Sequence, residues 1–122
     1  MLDRFTETET IIQAAIEVHK TLGCGFIEQV YQKALAVEFE LRNIPFEREK
    51  HLTIEYKQVV LKKDFFVDFV CFGDIIVELK ATNEIKPEFI QQTLNYMKAA
   101  NAHIGLILNF GQLTLNIKRL AR

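Results

Sequence analysis

The chain contains no tryptophan, two cysteines, two prolines and five glycines among 122 residues, and neither sign of charge dominates, with 15 Lys+Arg against 16 Asp+Glu. So little proline and glycine excludes collagen-like and low-complexity chains. Cys24 and Cys71 lie far apart, outside any Cys-x-x-Cys pair and away from a histidine at zinc-ligand spacing. That excludes a disulfide scaffold and fits a reducing setting with both thiols free. The net charge of −1 excludes a protein that holds nucleic acid by bulk basicity, so any such contact is weak or local. No apolar run approaches the roughly 18 residues needed to span a bilayer. The first nine residues are polar and acidic, without the apolar core of a signal peptide. The expectation is a cytoplasmic protein that makes no membrane contact.

Hydrophobic residues make up 49% of the chain, enough for one domain with a real core at this length. Thr8 or Thr10 can cap a first helix carrying Ile12, Ala15, Ile16, His19 and Leu22 at helical spacing, stopped by Gly23-Cys24-Gly25. A second helix runs from about Ile27 to Leu41, with Val30, Ala34, Val37 and Leu41 on one stripe and Glu28, Tyr31 and Leu35 on the next. Asn43 and Pro45 end it. From Phe46 to Ala81 β-branched and aromatic residues predict three strands, about 47–56, 59–71 and 75–81, with turns at Lys57-Gln58 and Phe72-Gly73-Asp74. Pro87 opens a third helix reaching about Ala100. A buried strand at 103–109 and an alternating, half-exposed edge strand at 113–118 follow. The order is ααβββαββ, an α/β chain with a mixed central sheet flanked by helices and no repeat or linker marking a second domain.

The strand Ile75-Ile-Val-Glu78-Leu-Lys80-Ala81 breaks the pattern of its own composition. Apolar residues of both parities mark a central strand covered on both faces, yet Glu78 and Lys80 interrupt it on one face. Buried charge costs several kcal/mol per ion unless paired or metal-bound. The bland readings are a solvated Glu/Lys face and a neutralising ion pair without function; the apolar neighbours weigh against the first. Asp68 interrupts the preceding apolar strand in the same way. In a hairpin, a two-residue Gly73-Asp74 turn would set Asp68 opposite Leu79. A three-residue Phe72-Gly73-Asp74 loop pairs Cys71 with Ile75 and sets Asp68 opposite Glu78. A site at these acids therefore predicts an odd-length loop or a bulge, with Gly73 or Asp74 at positive φ. Two carboxylates in a poorly solvated place repel each other, and a divalent cation with a taste for oxygen, Mg²⁺ or Mn²⁺, relieves that. With Lys80 beside them, this is equipment for metal-assisted phosphodiester hydrolysis.

Asp68, nine residues, then Glu78-Leu-Lys80 resembles the Asp…Glu-x-Lys signature of the PD-(D/E)xK nuclease superfamily, whose restriction-endonuclease-like core has the order αβββαβ. Gly25-Phe-Ile-Glu28-Gln-Val-Tyr31 is similar to the motif of the GxxExxY proteins, a bacterial and archaeal branch of it. Ile76–Ala81, Gln92–Met97, Gly105–Gly111 and Lys118-Arg119 extend the likeness over about residues 10–120. A proline before Asp68 is missing; Val67 stands there. The resemblance implies metal ligands at Asp68 and Glu78, the Leu79 carbonyl and the helical Glu28, catalysis by Lys80, and a site lined by Gln92.

Read from the residues alone, Glu28 is equally an ordinary first-turn acid at a helix N-terminus. Tyr31 either orients Glu28 through its hydroxyl or packs as an aromatic, and Gln92 is a site amide or a surface one. Tyr96, four residues on from Gln92, shares its helix face, and Gln91 is expected to point elsewhere. His19, His51 and His103 lack ligand spacing and read as structural or exposed. Lys57, Lys62, Lys63 and Lys86 are the candidate phosphate contacts. The resulting expectation is a Mg²⁺- or Mn²⁺-dependent nuclease acting on DNA or RNA. The alternative is a non-catalytic oligomeric or partner-binding module of the same fold.

Overall fold

The computed structural model describes residues 3–122; Met1 and Leu2, the start of the polar N-terminal stretch, lie outside them. Helix α1 spans Arg4–Leu22 and begins earlier than its threonines suggest, because the Asp3 carboxylate accepts from the Thr6 N–H at 2.7 Å and takes the capping role. Thr8 and Thr10 instead bond back to the Phe5 and Glu7 carbonyls. Helix α2 covers Glu28–Leu41. Its buried stripe is Tyr31, Gln32, Leu35 and Phe39, whereas Val37 and Leu41 are 58% and 73% exposed. Of the two stripes, the one carrying Tyr31 and Leu35 faces inward.

Seven strands follow the two helices: β1 Phe46–Leu52, β2 Glu55–Tyr56, β3 Val59–Val60, β4 Phe65–Cys71, β5 Ile75–Lys80, then, after helix α3 (Pro87–Ala99), β6 Ile104–Asn109 and β7 Asn116–Ala121. The long strands expected at 47–56 and 59–71 are each broken, and their inner ends form a separate two-stranded ribbon, β2–β3. Its turn residues Lys57 and Gln58 have φ of 49° and 69°, the two positive values of a type I′ hairpin turn. Without the ribbon the order is ααβββαββ. The last strand lies three residues later than its alternation suggested: Leu113 is 91% exposed in the preceding loop, and Leu120 fills the core instead.

The main sheet runs β1-β4-β5-β6-β7. Among the described residues only β5 and β6 pair in parallel, joined by the α3 crossover. Strand β5 is central, with every residue from Ile75 to Leu79 buried, as its two-sided apolar pattern demands. One face carries α1 and α2 over Phe69, Cys71, Ile75, Val77, Leu79, Leu106 and Leu108. Within that layer Phe39, Phe46 and Phe69 meet pairwise at 5.1 to 5.6 Å between ring centroids, each pair adding about 0.5–1.5 kcal/mol beyond its buried area. The opposite face carries α3 over Val67, Val70, Ile76 and Ile107. Gly105 lets α3 close on the sheet, since a Cβ there would stand 2.6 Å from Met97 Sδ.

Candidate functional site

Strand β4 pairs with β5 through Cys71↔Ile75, Val70↔Ile76 and Phe69↔Val77. The next position of that register falls on Asp68 and Glu78, one past the last paired rung, and the loop Phe72-Gly73-Asp74 that fixes it has positive φ at Phe72 (51°) and Gly73 (85°) rather than at Asp74. Beyond Phe69↔Val77 side chains replace the backbone rungs. The Asp68 N–H donates to Glu78 Oε1 at 3.2 Å, and the Leu79 N–H donates to Asp68 Oδ2 at 2.8 Å.

The other neighbour of Asp68 is also irregular. The β1–β4 register skips the Glu49/Asp68 rung, and Glu49 has φ of 51°, a conformation that costs of order 1 kcal/mol outside glycine. Residues two apart on a strand normally share a face, but here Val67 belongs to the α3 side and Phe69 to the α1/α2 side. The break at Asp68 switches β4 from one face to the other and opens the fork where the acids meet.

Asp68 Oδ1 accepts from Gln32 Nε2 at 2.7 Å, and Gln32 Oε1 accepts from Arg48 Nε at 3.0 Å. Gln32 and Arg48 were missed in the sequence. The readable signal for Gln32 was its place four residues after Glu28, a polar side chain within the apolar stripe of α2; Arg48 gave none.

Glu78 is 6% exposed, and its carboxyl is pushed up to about 9, first by burial, then by the Asp68 charge and by side-chain hydrogen bonding between the two carboxyls, with the Asp68 N–H and Lys80 opposing. Glu28 is raised by burial first and by Asp68 second, again against Lys80. The Tyr96 phenol is raised by burial and then by the Glu78 and Asp68 charges, so it faces the same acids. The Lys80 ammonium sits 4.5 Å from the centroid of the Phe89 ring, a cation–π contact that holds it on the α3 side.

The expected residues are therefore brought together unequally. Asp68 and Glu78 are linked through the Asp68 N–H; Glu28, Lys80 and Tyr96 share their electrostatic neighbourhood. Among the described residues Gln92 makes no hydrogen bond to the carboxylates. It is exposed on a groove of about 1090 Å³ between α3 and the foot of the ribbon, lined also by Ile54, Phe65, Gln91 and Tyr96. Gln91 thus faces the same groove instead of pointing away, tied to Asn95 at 3.1 Å. Tyr31 does not orient Glu28. Its hydroxyl donates to the Gly23 carbonyl at 2.6 Å and accepts from the Phe26 N–H at 3.3 Å, and its ring stacks on Phe110 at 4.6 Å. It packs and clasps the loop before α2, where Gly25 at φ 115° turns the chain so that Glu28 begins the helix. His19 bonds the Gln112 carbonyl at 2.8 Å, His51 bonds Asp64 at 2.9 Å, and His103 bonds the Arg122 carbonyl at 3.3 Å; none of these bonds involves Glu28, Asp68 or Glu78.

A second clasp fixes the chain after Lys80. Buried Asn109 accepts from the Thr82 and Gly111 N–H groups and donates to the Thr82 carbonyl, and the Phe110 N–H donates to the Lys80 carbonyl at 2.8 Å. A Cβ on Gly111 would run into the Thr82 backbone.

Among the described residues no three His, Cys, Asp or Glu side chains close into a metal cage. The donor set still suits Mg²⁺, which keeps most of its waters and takes one or two carboxylates from the protein. Both Asp68 oxygens already accept one bond, but each retains a second lone pair.

A family model for the PD-(D/E)XK nuclease superfamily matches residues 6–120, and the chain belongs to that superfamily. No curated protein sequence matches it. The solved structure described as "Crystal structure of SSO0001" superposes with a TM-score of 0.57 at 16% identity, covering 77% of this chain and 49% of that protein. The chain spans about half the length of that protein, and at this identity the likeness shows the fold alone. Among the described residues no helix is long and apolar enough to cross a membrane.

Proposed function

We propose that residues 1–122 form one nuclease-like domain of the GxxExxY branch that hydrolyses phosphodiester bonds of DNA or RNA with Mg²⁺ or Mn²⁺. The observation that carries this reading is the Asp68–Glu78 contact at the strand fork, with Lys80 two residues along the same strand. Asp68, Glu78 and the Leu79 carbonyl would hold the cation, with Glu28 acting on its water shell from the start of α2. Bound there, the cation supplies charge to the carboxylates and the phosphate and acidifies a water ligand. Lys80 stabilises negative charge on the phosphate as water attacks phosphorus and the P–O ester bond breaks. Tyr96 forms the wall between the acids and the groove, Gln92 contacts the strand further along, and Tyr31 supports Glu28 only by holding its loop.

The ribbon supports local contact with nucleic acid. Lys57 lies on its turn and Lys62 and Lys63 just beyond it, and none of them makes an ion pair among the described residues. The test is a screen of single- and double-stranded DNA and RNA with Mg²⁺ and Mn²⁺. Wild type should cut at least one substrate and Lys80→Ala none, while Mn²⁺ raises Tm and Glu78→Ala removes that rise. Equal inertness of both proteins without a metal-linked Tm shift overturns the reading.

One observation favours the non-catalytic alternative. Tyr56, Val59, Val60 and Leu61 of the ribbon are 44–62% exposed, an apolar patch of a kind that meets partners. Light scattering decides: a dimer that Val59→Lys dissociates identifies the ribbon as an interface between copies.

A further inference from the structure

We infer that Arg48 binds a phosphate group of the substrate beside the two carboxylates, through the terminal nitrogens of a guanidinium held in place by Gln32. The inference rests on the nuclease reading and adds to it a residue that no motif marks.

Arg48 pairs with Phe69 across β1 and β4, and Phe69 faces the α1/α2 layer, so Arg48 is on the side from which Gln32 descends. The next residue, Glu49, lies at the skipped rung opposite Asp68, which puts Arg48 at the mouth of the fork. Its Nε donates to Gln32 Oε1 at 3.0 Å, and the other end of the same amide donates to Asp68 Oδ1 at 2.7 Å. Gln32 is 6% exposed, so the tether is built into the fold. It is also neutral. Among the described residues Arg48 makes no ion pair, so its full charge and both terminal nitrogens remain available. A planar guanidinium in that state matches two phosphate oxygens. The rigid amide limits those nitrogens to within roughly 10 Å of Asp68. A cation on Asp68 followed by a phosphate on the cation spans a similar length.

The test compares wild type, Arg48→Gln, Arg48→Lys and Gln32→Ala in two measurements. One is the Tm rise caused by Mn²⁺ alone. The other is the Kd for a labelled ten-nucleotide single strand, as DNA and as RNA, in Ca²⁺, with the strand checked afterwards to be intact. Arg48→Gln should keep the Mn²⁺ shift and weaken strand binding about tenfold or more, since a charge-assisted contact is lost. Arg48→Lys should restore part of the affinity, because it keeps the charge without the fork. Gln32→Ala should reduce both, because it frees Asp68 as well as Arg48. If Arg48→Gln loses the Mn²⁺ shift as fully as Gln32→Ala, Arg48 only positions Asp68 and the inference is overturned. Unchanged strand affinity in Arg48→Gln, or no binding by wild type, overturns it too. Arg48-dependent strand binding in a protein that never cuts leaves the phosphate contact standing while the nuclease reading fails.

Discussion

Replacing Glu78 by glutamine should change how the stability of the metal-free protein depends on pH. In the unfolded chain this carboxyl ionises near the ordinary 4.5; in the fold, burial first and then the Asp68 charge push it up to about 9 against the opposing Asp68 N–H and Lys80. Between those values the folded state holds a proton that the unfolded state has released. Stability from this group is therefore complete below about pH 4.5 and drains away as pH rises toward 9, at up to about 1.4 kcal/mol per unit. For a domain of this length 1 kcal/mol moves Tm by about 4 °C, so the Glu78 contribution is on the order of 5 °C per unit. Glu78→Gln has nearly the shape of the protonated acid and keeps an oxygen for the Asp68 N–H. Near pH 5 the two proteins should melt within a few degrees of each other. Toward pH 8 the variant should draw ahead steadily.

Thermal unfolding in EDTA at unit steps from pH 5 to pH 8 measures this directly, and the difference between the two curves isolates Glu78 from other titrating groups. Glu28, raised for the same reasons, titrates in both proteins and cancels. Parallel curves, or a variant that loses ground as pH rises, would refute the idea that Glu78 is held protonated by burial and Asp68.

Metal binding should show the same proton from the other side. Because the cation must displace it, Mn²⁺ affinity should tighten by up to tenfold per pH unit between about pH 6 and 8, read by calorimetry in buffers of different ionisation enthalpy. Tyr31→Phe keeps the stack on Phe110 but loses both loop bonds, and should destabilise by about 1–2 kcal/mol in denaturant titration. Gly111→Ala forces a Cβ into the Thr82 backbone and should cost about 1–3 kcal/mol. Gly25→Ala meets open space and should cost about 1–2 kcal/mol through its φ of 115° alone. Hydrogen exchange should separate the two glycine variants, the first loosening residues 80–84 and the second residues 23–28.

What could be read from the sequence followed from patterns with one physical solution. An acid and a lysine inside a strand apolar on both parities point to a buried exception, and the hairpin arithmetic then ties the joining of Asp68 and Glu78 to an odd-length loop or a bulge. The helix stripes were less determinate. Val37 and Leu41 fit an inward stripe as well as Tyr31 and Phe39 do, and the choice was made by the aromatic layer of Phe46 and Phe69, which is tertiary. The ribbon was hidden because the strands expected on either side of the Lys57-Gln58 turn do not stay in one sheet. Tyr31 was ambiguous because its hydroxyl partners, Gly23 and Phe26, are backbone groups that no side-chain pattern reveals. Arg48 was invisible because its role depends on a break at Glu49, a residue with no local sign of positive φ.

That break ties the fold to the chemistry. Strands that diverge leave backbone N–H groups without ladder partners, and buried donors must be satisfied. Here the acids satisfy them: Glu78 accepts from the Asp68 N–H and Asp68 from the Leu79 N–H. The same two carboxylates that a cation would use are therefore substitutes for sheet rungs, and the site cannot be emptied of acid without unpairing the fork. Asp68→Ala removes the acceptor for two donors at once, Gln32 Nε2 and the Leu79 N–H. It should destabilise by about 2–4 kcal/mol, taking about 1–2 kcal/mol for each buried donor left unpaired. Asp68→Asn retains an oxygen for one of them and should lose less. A metal site grafted on an otherwise complete sheet would show the opposite order, with Asp68→Ala stabilising the metal-free protein by relieving repulsion. Chemical denaturation of the two variants in EDTA distinguishes these cases.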